Sequence, residues 1–298
     1  MIQTANQFYD RMQADISRKG YTEIVFPMSV NELKEAEQRY LGFLTLPIEE
    51  KKKFETWILG LHRDDLSKVT RFGYKAKIRE KELGDSKEYF HHGDHLRTEL
   101  ESLIKSSPKE VRDFVEAADG VLSQIKKAMK PVYQAFETEV RGFKASFIDT
   151  PYIFLRFLAY SPPAIKPGEL AIGHFDRGAL TLAMYENRSG LQICPAFDDD
   201  FKGNDEEETA RKLEAVLERL QQVHHTPDTA FLFASDGITS VLPRELQRRF
   251  PKGYHRVDEK LQDSADYHRR TAIVAFISPR EGVSIGGWDE RHPHDRVR

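Results

Sequence analysis

Residues 174–193 read HFDRGALTLAMYENRSGLQI. A histidine and an aspartate stand two apart at its head, Gly178 follows, and residues 180–185 have the content of a strand. In an extended chain, residues two apart point to one face, so His174 and Asp176 can reach one ion together. A third ligand has to come from elsewhere. His255, inside the strand-like GYHRV (253–257), is the best candidate. Two histidines and a carboxylate on one side of a metal leave the other side open, which suits non-haem Fe(II) with a co-substrate and O2. Zinc fits the same three ligands, with water in a fourth, tetrahedral position. On spacing alone, two polar residues at a strand end remain the better account. Other histidines compete: His91, His92 and His95 in HHGDH (91–95), the pair His224 and His225, and His292 with His294. The HHGDH run lacks a spacing that would set three of its histidines on one face, and it reads as a strand end and loop.

The surrounding chain limits what such a site can belong to. It has 298 residues, 39% of them hydrophobic and 11% aromatic, enough to bury a sizeable core. A formal net charge of −3, with Lys and Arg scattered, gives no nucleic-acid tract. No apolar run is long enough to span a bilayer. The first twenty residues lack the basic-then-apolar order of a secretory signal. Cys194 is the only cysteine, so no intrachain disulfide or cysteine-based zinc cluster can form. A cytoplasmic protein acting on a small molecule, with neither nucleic acid nor membrane as partner, is the expectation. Its oligomeric state is left open.

Helical spacing marks residues 3–19, a helix capped by Ser29, a turn or two over 48–57, and two segments within 100–139 broken near Ser106–Pro108. Strand signals fall at 21–26, 87–92, 152–160, 180–185, 191–194, 229–234, 253–257 and 271–277. One helix interrupts the second half, over 208–223, with Leu213, Val216, Leu217, Leu220 and Val223 as its stripe. The expected fold is α+β with a mainly β core: a double-stranded β-helix, or jelly roll, flanked by N-terminal and inserted helices. The expected organisation is one domain over 1–298. It comprises a mostly helical part (1–145), a jelly-roll core (146–281) carrying the inserted helix 208–223, and a tail (282–298).

The opening stretch, read to its end, resembles the HTDxGxLTLLxQDxxGGLQV signature of the isopenicillin-N-synthase-like family of iron- and 2-oxoglutarate-dependent oxygenases. The shared residues are His174, Asp176, Gly178, Leu180, Thr181, Leu182, Gly190, Leu191 and Gln192. LRFLAYSPP (155–163), TPDTAFLFASDGITSV (226–241), GYHRV (253–257) and RTAIVAFISP (270–279) are similar to later family segments in the same order. Upstream, YLGFLTLPIEEKKKF (40–54) and DSKEYFHHG (85–93) resemble two more. The resemblance implies that His174, Asp176 and His255 bind Fe(II), and that Arg270 and Tyr160 hold the distal carboxylate of 2-oxoglutarate. It also implies a substrate lined by Arg156, Tyr89, His91, Phe276 and Ser278, and a structural turn at Asp236-Gly237. A guanidinium matches a carboxylate with paired, charge-assisted hydrogen bonds. The family serine two residues after the arginine is Ala272 here, and a register one residue earlier would pair Arg269 with Thr271. Counting back from Phe276 and Pro279 favours Arg270.

The activity implied is that of a dioxygenase consuming 2-oxoglutarate and O2, releasing succinate and CO2, and hydroxylating a small metabolite of amino-acid, peptide or natural-product type. The alternatives are an Fe(II) oxidase that uses O2 without 2-oxoglutarate and a non-catalytic jelly-roll binding protein. A zinc hydrolase is poorer, since no general base accompanies the three ligands in the sequence.

Overall fold

The computed structural model describes residues 4–55, 57–59, 70–77, 87–148, 152–160, 168–259 and 269–279. Its helices are α1 (Ala5–Lys19), α2 (Val30–Leu44), α3 (Ile48–Lys52), α4 (Asp94–Glu99), α5 (Glu101–Ser106), α6 (Lys109–Glu137), α7 (Phe143–Ile148), α8 (Glu206–Glu218) and α9 (Arg244–Gln247). Its strands are β1 (Thr22–Val25), β2 (Trp57–Leu59), β3 (Thr70–Lys77), β4 (Lys87–His92), β5 (Tyr152–Tyr160), β6 (Gly168–His174), β7 (Leu180–Glu186), β8 (Leu191–Ala196), β9 (Gln221–Gln222), β10 (Thr229–Ala234), β11 (Lys252–Glu259) and β12 (Thr271–Ser278).

Local chemistry sets several of these boundaries. Thr4 and Ser29 each form a capping box, accepting from the N–H of Gln7 and Glu32 while those side chains accept in return. Gly20 ends α1 at φ 87°, a conformation that costs glycine little. A Cβ there would also lie 2.6 Å from the backbone of Cys194. Pro108 separates α5 from α6.

The strands form two rows. One runs β2-β3-β4-β5-β12-β7-β10, with β1 on the outer edge of β10. The other sets β11 between β6 and β8, with β9 outside β8. A single parallel pair, Ala234 with Lys252, joins them. Side chains of the first row alternate as a pleated strand requires. Leu155, Phe157 and Ala159 of β5, and Ile273, Ala275 and Ile277 of β12, join the main core with α1, α2 and α6. Leu158, Tyr160 and Ala272 face the other way, onto Leu170, Ala171 and Val257 of the second row. The helical side is an aromatic core in which Phe114 of α6 meets Tyr40, Phe43, Phe90 and Phe157 at ring separations of 5.0–5.3 Å.

Two expectations need correction. The inserted helix ends at Glu218, not Val223, because Gln221 and Gln222 pair with Ile193 and Gln192 and the Val223 N–H donates to Leu191 O. Its stripe (Leu213, Val216, Leu217, Leu220) packs on Cys194, Phe201 and Tyr254, while Val223 packs among strand residues. The helix expected over 48–57 stops at Lys52, and Trp57 lies in β2. Within the mostly helical N-terminal part, β3 and the expected strand β4 extend the first row of the sheet. Among the described residues, no helix is long and apolar enough to cross a membrane.

Candidate metal centre and the cavity beneath it

His174 is the last residue of β6, and His255 on β11 is its register partner, so the two imidazoles stand side by side with ring centroids 4.4 Å apart. Asp176 lies beyond the strand, in the bend that leads to β7, rather than within a strand. Backbone contacts fix that bend. Asp236 N–H donates to Asp176 O (2.8 Å) and Gly237 N–H to Gly178 O (2.9 Å). A Cβ on Gly237 would sit 3.0 Å from Gly178, so the close approach favours glycine. Phe175 turns away and packs between Phe201 and Tyr254.

One ligand atom each from His174, Asp176 and His255 lies within 4.8 Å of the others. Asp176 carboxylate oxygens stand 3.6 Å from His174 Nε2 and 3.5 Å from His255 Nε2. Both histidines use Nδ1 on a backbone carbonyl, Ile172 O at 2.8 Å and Gly253 O at 3.0 Å. With the proton held at Nδ1, each Nε2 presents a lone pair to the centre. Burial pushes Asp176 up, but the two imidazoles and the Thr181 hydroxyl (2.9 Å) outweigh it and hold the carboxyl well below the usual range. Burial lowers His255 to about 4, against the pull of Asp176, so it is neutral at ordinary pH. The His174 side chain is 46% exposed and those of Asp176 and His255 are 9% exposed, so the centre is open on one side only.

Beneath the centre lies a cavity between the two rows of strands. Apolar residues (Leu158, Ala171, Phe233, Val257 and Val274) form much of its wall. Its base holds Arg270, which is 1% exposed, lies over the Tyr160 ring at 5.3 Å, and pairs through Nη2 with Glu186 Oε2. Its Nε and Nη1 are buried without a hydrogen-bond partner. Arg269 instead points outward to Glu88 (2.5 Å), which favours Arg270 over the alternative register as the cation at the cavity base. Two imidazole nitrogens and a carboxylate with an open side are a donor set that fits Fe(II). The two unmet guanidinium nitrogens fit a carboxylate.

The expected substrate residues divide. Arg156 and Phe276 line the cavity. Tyr89 and His91 sit one strand over and reach it through Arg156, whose Nε donates to His91 Nε2 (2.6 Å) and whose guanidinium lies over the Tyr89 and Phe276 rings at 5.0 and 4.5 Å. Ser278 does not join them: it is buried at the far end of β12, opposite Tyr152. Among the described residues, no candidate metal group falls in the rival HHGDH run, and the His95 side chain lies outside them. His91 serves Arg156, and His92 Nε2 bonds Asp119 at 2.7 Å. The sequence reading assigned no role to Thr181, Glu186, His225 or Lys87, all in the cavity wall. Both Thr181 and Glu186 lie inside the opening stretch; strand alternation counted from Asp176 would mark Glu186, ten residues on, but not Thr181, five residues on.

No protein-family model matches the chain, and no curated protein matches it in sequence. Solved structures do. The dioxygenase for auxin oxidation 1 from Arabidopsis thaliana, in complex with 2-oxoglutarate, is 16% identical over 99% of this chain and 96% of its own, with a TM-score of 0.62. A full-length Neurospora crassa protein, solved in complex with alpha-KG, is 18% identical over 91% of this chain and 79% of its own, also at 0.62. JOX2, in complex with 2OG, Fe and JA, is 15% identical over 95% and 74%, at 0.59. The chain therefore has the fold of the 2-oxoglutarate/Fe(II) oxygenases: a large β-sheet with helices.

Proposed function

We propose that the protein is an Fe(II)- and 2-oxoglutarate-dependent dioxygenase of the isopenicillin-N-synthase-like type, with a jelly-roll core over 146–281 in a single domain, that hydroxylates a small metabolite. The observation that carries this reading is one cavity with His174, Asp176 and His255 at its mouth and a buried arginine with two unmet nitrogens at its base. The similar folds that bind 2-oxoglutarate support it.

In this reading His174, Asp176 and His255 hold the metal, and the carbonyls of Ile172 and Gly253 keep both imidazoles in the ligating tautomer. When bound, the metal and its co-substrate supply O2-dependent decarboxylation of 2-oxoglutarate to succinate and CO2, coupled to oxidation of a substrate C–H bond. Arg270, with Tyr160 beside it, holds the distal carboxylate of 2-oxoglutarate. The apolar wall keeps water from the reacting groups. Arg156, held by His91 and between two rings, meets no carboxylate of the described residues and is the anchor for an anionic group on the substrate.

The test is succinate formation from 2-oxoglutarate by the Fe(II)-loaded protein with ascorbate, across a panel of small carboxylates. Succinate formed by the native protein and lost in Asp176→Ala is the expected result. No succinate with any substrate, despite Fe(II) binding, sinks the reading. One observation favours a second reading, an oxidase that uses O2 without 2-oxoglutarate: Arg270 already carries Glu186. O2 consumption without 2-oxoglutarate would select it.

A further inference from the structure

The buried pair at the base of the cavity is incompletely satisfied. Arg270 and Glu186 have side chains 2% and 5% exposed, and they meet through Nη2 and Oε2. Arg270 Nε and Nη1 and Glu186 Oε1 have no hydrogen-bond partner. Unmet polar atoms in a buried ion pair are costly, and they mark a place where a polar group is missing. The charge is nonetheless already balanced, one cation to one anion. A carboxylate arriving at Arg270 puts two acids on one guanidinium, and two carboxylates sharing a buried site do not both stay ionised.

We infer that Glu186 takes up a proton when the distal carboxylate of 2-oxoglutarate docks on Arg270, so that Glu186 sets how strongly the site holds an anion. The inference rests on the oxygenase reading above. The proton comes from solvent and forms the O–H bond at Oε1. That atom, now without a partner, then becomes a donor to the incoming carboxylate.

The surroundings agree. The groups facing Glu186 around the cavity are Arg270 at the start of β12, His225 before β10, Lys87 on β4 and Tyr160 on β5, with Tyr185 beside it bonded to Glu37 of α2. Burial raises Glu186 above the ordinary carboxylate range, with Arg270 and the N–H groups of Leu191 and Gly190 opposing. Burial and Arg270 lower His225 to about 4, so it adds no cation at neutral pH. Glu186 and His225 also line a second cleft, with Met28, Leu33 and Asp228 on its walls, which gives the carboxyl a route to protons from the other side.

The experiment is calorimetric binding of 2-oxoglutarate to the Mn(II)-loaded protein between about pH 6 and about pH 8, in buffers of different ionisation heat. The expected result is uptake of about one proton per ligand, with affinity falling about tenfold per pH unit over the rising limb. Glu186→Gln should bind more tightly at the alkaline end and lose the slope. Binding without proton uptake overturns the inference and leaves the oxygenase reading standing. A slope that persists in Glu186→Gln moves the proton to another group, His225 first, and overturns it too. Uniformly weaker binding by Glu186→Gln would make Glu186 only a prop for Arg270. Failure of 2-oxoglutarate to bind either protein removes both ideas. If Glu186→Gln does not fold, binding to the native protein without proton uptake still overturns the inference.

Discussion

Replacing Thr181 by valine isolates what holds Asp176 in place. The Thr181 hydroxyl donates to Asp176 Oδ2 at 2.9 Å and bonds the Ser235 hydroxyl at 2.8 Å, with Thr181 and Ser235 each 1% exposed. Valine keeps the shape and removes both bonds. A hydrogen bond to a charged group contributes about 1.5–3 kcal/mol, and Ser235 is left with a buried, unmet hydroxyl. Free carboxylate rotation also misplaces a metal ligand, and loss of such supporting partners typically lowers metal affinity about 10–100-fold. Mn(II) titration followed by calorimetry, with thermal melts of the metal-free protein, measures both effects. Thr181→Ser keeps the hydroxyl and should keep most of the affinity. If valine binds Mn(II) as tightly as threonine, or serine fails as badly as valine, the hydroxyl does not orient Asp176 and the argument is wrong.

Arg270→Met should cost about 3–5 kcal/mol in urea unfolding, because Glu186 is left buried without its cation, and the double variant with Glu186→Met should recover much of that. Arg269→Met, at a pair whose arginine is 42% exposed, should cost no more than about 1 kcal/mol; the reverse order would show that the wrong arginine has been placed in the cavity. His225 has a folded value of about 4 against 6.5 for the free group, so between those values the unfolded chain binds the extra proton. Stability should therefore rise with pH across that window, by at most about 3 kcal/mol from this residue, and His225→Leu should flatten the rise; equal pH dependence in both proteins would exclude His225 as its source. Phe114→Ala, in the middle of four aromatic rings, should lower stability by about 3–5 kcal/mol without changing Mn(II) affinity; a matching loss of affinity would mean that core and centre are coupled.

Strands that carry their own signal were legible in the sequence. KEYFHH, YIFLRFLAY and TAFLFA are dense in aromatic and β-branched residues between turn residues, and β4, β5 and β10 have those bounds. GELAIGH was not legible, since two glycines and a glutamate dilute it and its place comes from pairing with β11. The end of α8 was missed for the opposite reason. Leu220 and Val223 continue the helical spacing, but the β8 edge captures that segment as a strand. At the centre, His174, Asp176 and His255 could be named because an extended motif surrounds them. The Glu186 partnership could not, because Glu186 and Arg270 lie 84 residues apart and meet only once β7 and β12 are paired.

The pairing of β6 with β11 also explains how His174 comes to face the centre at all. His255 and Val257 are two apart on β11 and both line the cavity. Their partners on β6, His174 and Ala171, are three apart, and both line the cavity as well. A regular strand reverses the face with each residue, so with Ala171 inward it would turn Gly173 inward and His174 outward. The irregularity in the ladder between these pairs carries one extra residue on β6 and restores the histidine to the inner face, as a bulge beside a functional site does. A Cβ on Gly173 would lie 2.2 Å from the Tyr254 hydroxyl, so the glycine leaves room for that ring. The HxD spacing thus works through a strand end and a bulge rather than through the simple two-residue repeat of a strand.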